Sequence, residues 1–139
     1  MTAALGSLHW LAVIVVAIAG FLLGWLWYGP LFGRAWMAEM KITPETIKAA
    51  NYNMPKLFGT GFAYTLISTF ALAWLLRALG THGALHGAAV GLVVGVLLVG
   101  ARLANTSLWE NRSLRLQAIN LGHEAALFAM QGAILAVWR

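Results

Sequence analysis

Four long apolar stretches separated by polar or proline-containing breaks set the pattern of this chain. They cover about residues 9–28, 57–79, 83–105 and 118–138. Each is close to the roughly 20 residues that a helix needs to cross a bilayer core. The expected architecture is all-α: a polytopic membrane protein with four transmembrane helices in one bundle, residues 1–139 forming a single domain. Trp10 at one end of the first stretch, and Trp25, Trp27 and Tyr28 at the other, have the spacing of interfacial aromatic belts. Gly29-Pro30 then predicts a helix break, because proline lacks an amide and restricts the residue before it. In residues 31–56, Phe32, Trp36, Met37 and Met40 recur at helical spacing among Arg34, Glu39 and Lys41. That pattern predicts short amphipathic helices on the membrane surface, in the first cytoplasmic loop. Thr43-Pro44-Glu45 reads as the start of one of them, and Pro55 as its stop.

Small and polar residues give the spans their faces. In the third, Gly83, Gly87, Gly91 and Gly95 recur every fourth residue, removing side chains from one side so that another backbone can approach. Gly20 and Gly24 do the same in the first. At 100° per residue Arg102 falls on the glycine side of the third span. In the fourth, Asn120, Glu124 and Gln131 share a narrow arc, a polar stripe through a membrane helix. Arg102 and Glu124 lie at matching depth. Isolated charges in lipid are expensive, so the expectation is a pair, with His123, Asn120 or Asn105 completing its hydrogen bonds, or a path through Asn120, Glu124 and Gln131. Thr60, Tyr64 and Ser68 line one face of the second span, beside Thr65 and Thr69, and should point into the bundle. Gly80 to His82 is a tight turn, which implies an antiparallel pair of helices.

Composition reinforces this reading and removes others. Hydrophobic residues make up 61% of the chain and charged residues 9%, far from the balance of a soluble domain. The net charge of +5 would suggest nucleic acid in a soluble protein. Here seven of the nine basic residues (Arg34, Lys41, Lys48, Lys56, Arg102, Arg112, Arg115) belong to the first and third loops and their flanks. By the positive-inside rule those loops are cytoplasmic, both termini external or periplasmic, and no nucleic-acid partner is expected. No Lys or Arg precedes the first span and no small-residue cleavage site follows it, so a cleaved leader is not expected. Without cysteine or aspartate, and with three of four glutamates in or near loops, no catalytic set can be assembled and no enzyme is expected. His82 and His86 are four apart and His9 lies on the same side, the weak beginnings of a metal site with no carboxylate to strengthen it. No cofactor is implied.

The segments WLWYGPLFGRAWM (Trp25 to Met37), Asn51 to Pro55, LANTSLWENRSLRLQAINLGH (Leu103 to His123) and the closing QGAIL carry a resemblance. Together they resemble the small bacterial membrane proteins grouped as domain of unknown function 1761, over nearly the whole chain. The resemblance implies a four-helix protein of the bacterial inner membrane and brings no reaction, substrate or ligand. It also implies an aromatic–His pair near the start of the last span, where this chain has His123-Glu124. Two functions stay open. One is a small homo-oligomeric channel or transporter using the intramembrane polar residues. The other is a non-catalytic accessory subunit, embedded in the lipid bilayer and binding partner helices through its glycine faces.

Overall fold

The computed structural model describes residues 9–138. Its first helix, α1 (Trp10–Leu26), does not break at Gly29-Pro30. It continues through a wide π-helical turn, Trp27–Leu31, closed by the Phe32 amide on the Trp27 carbonyl at 2.8 Å. A turn with i→i+5 bonds accommodates the proline that an α-helical interior would reject. The connector forms α2 (Gly33–Glu39) and α3 (Pro44–Ala50). Thr43 caps α3 in a reciprocal box with Thr46, and Pro44 occupies its first turn. Asn51 ends α3 in a left-handed conformation. Pro55 stops nothing: it lies in the first turn of α4 (Met54–Ala78), where its missing amide has no partner to lose.

The third long helix is compound. It runs as α5 (Ala84–Val93), a π segment (Val94–Gly100) and α6 (Ala101–Trp109). Then α7 (Leu114–Val137) starts behind the Ser113 cap, whose hydroxyl accepts from the Leu116 amide at 3.1 Å. The same hydroxyl donates to Glu39 and ties this corner to α2. Ser113→Ala should cost about 1 kcal/mol in denaturant unfolding, the usual effect of losing an N-cap.

The expectation of four spans is corrected. Three helices are long and apolar enough to cross a membrane: Trp10–Leu31, Met54–Ala78 and Ala84–Trp109. The last helix has the length but not the apolarity, because Asn120, His123, Glu124 and Gln131 interrupt it. It can carry them because α1, α4 and α5 pack around it, and nine of its residues are buried. The protein is therefore a multi-pass membrane protein of all-α fold whose most polar long helix is its most enclosed.

Packing differs at the two ends of the bundle. Next to His9 and Trp138, whose rings lie 6.4 Å apart, Val13, Val16, Leu72, Leu76 and Leu135 belong to a solid apolar core. Trp10 stacks on Phe70 there, 5.6 Å between centroids, holding α1 to α4. The opposite end carries the connector and the α6–α7 turn, joined by an Arg115–Glu39 ion pair and an Arg112–Met40 contact. The tight turn joins α4 to α5, which touch only sparingly, and α5 lies along α7 instead.

Candidate functional site

The glycine face of α5 determines where the site can form. A Cβ on Gly87 would collide with the Gly132 carbonyl, and one on Gly91 with the Phe128 carbonyl. On Gly95 it would lie 2.6 Å from the Glu124 carbonyl. The two backbones thus run in contact, which only small residues permit. Gly83 is not part of this face: it caps α5 at φ +84°, a turn glycine with no helix against it. Gly20 and Gly24 of α1 also turn inward, toward Gln131 and toward Nε2 of His123.

The expected Arg102–Glu124 pair does not form. Arg102 is exposed and makes no ion pair among the described residues. The π segment is the reason. Its i→i+5 closure adds one residue to a turn and rotates everything after it by about 100°. The contact face therefore steps from Gly95 to Gly100, whose Cβ position meets Leu121, and continues through Leu103 and Ser107. A uniform helix would have kept Arg102 on that face; the bulge turns it out.

Glu124 instead accepts from its neighbour, with Nδ1 of His123 at 3.1 Å from Oε1. Its side chain is 19% exposed. Both π irregularities flank this point. The first brings in Trp27, whose Nε1 donates to the Ile119 carbonyl at 3.0 Å, and Tyr28, whose hydroxyl donates to Asn120 Oδ1 at 3.1 Å. Tyr28 also lies against the His123 ring, 4.9 Å between centroids. π-Bulges recur at functional sites because they aim side chains that a regular helix would turn away.

Tyr28, Asn120 and Glu124 line a cavity of about 550 Å³ that runs from the connector end down to Glu124. Tyr28, Trp36, Met40 and Leu103 form its apolar wall. Thr106, Ser107 and Asn120 supply neutral polar groups. Glu110 and Arg112, paired at 3.0 Å, also line it, nearer the loop. A volume of this size suits a drug-sized ligand.

Gln131, the far member of the polar stripe, is elsewhere. It is completely buried, its Nε2 donates to Thr69 Oγ1 at 2.8 Å, and Thr69 donates in turn to the Thr65 carbonyl at 2.7 Å. Gly20 closes over the amide. Asn120 and Glu124 therefore meet at the cavity, with His123 bonded to Glu124, while Gln131 is a cross-link between α4 and α7. On α4, Thr65 and Thr69 face inward; Thr60 and Tyr64, the latter 69% exposed, face out. His82 precedes the start of α5 and so does not share a helix face with His86; both are exposed. Among the described residues no cluster of three metal-ligating side chains occurs, and His9 packs near Trp138.

Trp27, Tyr28 and Trp36 were legible only as an interfacial belt and a surface helix. Trp25 does stay at the surface, 66% exposed. The π turn carries Trp27 and Tyr28 inward and α2 sets Trp36 beside Tyr28; the signal for the turn was Gly29-Pro30 inside an aromatic run.

The fold defines a multi-pass all-α membrane protein with a cavity at its connector end. Residues 11–136 match the family described as Protein of unknown function (DUF1761), and the chain belongs to it. No curated protein and no solved structure matches the chain.

Proposed function

We propose that this protein binds a small amphiphilic solute in the cavity above Glu124 and serves in its passage across the membrane, without catalysis. The observation that carries the reading is the cavity itself: about 550 Å³, aromatic on one side and polar on the other, reaching a carboxylate inside the bundle. A structural anchor would need no such space. The alternative, a subunit that binds partner helices through its glycine faces, has less support, because Gly20, Gly87, Gly91 and Gly95 are covered within the chain. Completely buried Gln131 lies beyond the site, so passage through one chain requires a rearrangement or a second copy, and transport favours a homo-oligomer.

The cavity end gathers the connector and the α6–α7 turn, where the basic residues concentrate. By the positive-inside rule the cavity then opens to the cytoplasm.

One variant tests both statements, since the chain has no cysteine. Ser107→Cys puts a single thiol on the cavity wall. It should react with a membrane-impermeant maleimide in inside-out vesicles and not in intact cells. Thermal unfolding in lipid nanodiscs, against a panel of small amphiphiles, should give stabilising compounds whose effect disappears after labelling. Labelling from the outside overturns the orientation. A panel without effect, with identical liposome flux before and after labelling, overturns the function.

A further inference from the structure

The charges around Glu124 balance in only one way. Within the cavity Arg112 is matched by Glu110, which leaves the Glu124 carboxylate as the unmatched charge. Among the described residues no Lys or Arg pairs with it. The π turn of α1 offers Tyr28 and Trp27, α2 offers Trp36 and Met40, and α6 offers Leu103, Thr106 and Ser107, with Arg102 turned outward. The π segment contributes Gly95 and apolar residues.

The remaining candidate is His123, and its surroundings identify its state. Its ring is about nine-tenths buried, and Nε2 has no hydrogen-bond partner. That nitrogen faces Gly24, whose Cβ position lies 3.5 Å away. An imidazolium would bury an N–H without an acceptor, whereas a neutral ring can leave Nε2 bare and donate from Nδ1 to Glu124. His123 is thus a neutral donor that positions the carboxylate and does not compensate its charge.

From this arrangement, and resting on the cavity as a solute site, we propose that the solute is a monovalent organic cation taken up in exchange for a proton at Glu124. With the cavity free of cation, the proton occupies the Glu124 oxygen that His123 does not bond. When the cation enters, that proton leaves through the cavity and the carboxylate faces the cation. One positive charge enters and one leaves, so the net charge of the site is the same in both states. Tyr28 and Trp36, their rings 5.6 Å apart and inclined at 65°, both line the same space. Aromatic walls of this kind favour a diffuse organic cation over a hydrated metal ion.

The test uses the full chain in lipid nanodiscs, with tetraphenylphosphonium as probe and triphenylphosphine oxide as its uncharged counterpart. Calorimetry should show the cation binding at least tenfold more tightly than the neutral compound. A pH indicator in weak buffer should report about one proton released per cation, and cation binding should weaken as pH falls. Glu124→Gln should abolish the release and remove the preference for charge while still admitting the neutral compound; Glu124→Asp should restore both. Excess potassium should not displace the probe. Equal binding of the two compounds, or cation binding without proton release, overturns the exchange and leaves the cavity reading intact. Binding of neither, in a protein whose unfolding is unchanged by Glu124→Gln, overturns the exchange as well. Displacement by potassium overturns the organic class.

Discussion

Gly91→Ala should destabilise the protein by about 3 kcal/mol or more, the upper range for forcing a methyl into a filled interior. The position is in the middle of the α5–α7 contact, where an added Cβ would collide with the Phe128 carbonyl and lie 3.2 Å from the Ala129 amide. Both obstacles are backbone, so no rotamer change relieves them. The two helices would have to separate along the whole face, opening gaps at Gly87 and Gly95 as well. Gly59→Ala is the comparison. Gly59 is also in a long helix, but nothing lies within 4 Å of its Cβ position. That substitution should stabilise by roughly 0.5–1 kcal/mol through reduced backbone freedom. Reversible unfolding of both variants in mixed micelles measures the difference. Equal effects would show that the close approach of α5 and α7 is not a source of stability.

Gln131 gives the second large effect, and its direction depends on the replacement. Gln131→Ala removes a completely buried side chain between α1, α4 and α7 and should cost about 3 kcal/mol, as large-to-small changes in a core do. Gln131→Met keeps the length and flexibility and should cost about 1 kcal/mol or less. The hydrogen bond to Thr69 is lost, but so is the burden of a buried Oε1 with no partner. Thr69 keeps its own bond to the Thr65 carbonyl. The pair also separates structure from passage: if Gln131 only cross-links helices, Gln131→Met should retain solute binding in the cavity. Loss of binding in a well-folded Gln131→Met would return this residue to the functional stripe.

The two sets of substitutions locate the limits of reading by period. On α7 the helix is regular, so counting at 100° per residue places Asn120 and Glu124 together, and both reach the cavity. On the third long helix the same count succeeds through Gly87, Gly91 and Gly95 and fails at Arg102. Between them lies a π segment that no periodic rule anticipates, because it answers to the partner surface and not to local preference.

What the sequence by itself determined is the material: an all-α membrane protein, glycines that let two backbones touch, and polar groups too costly to leave in lipid. What only the tertiary structure decided is which of those groups meet. Packing among three apolar helices lets α7 carry buried polar residues that a lipid-facing helix could not, which a residue-by-residue hydropathy cannot register. The two π irregularities turn Tyr28 inward and Arg102 outward. Glu124 is left beside His123 and an open cavity instead of an arginine.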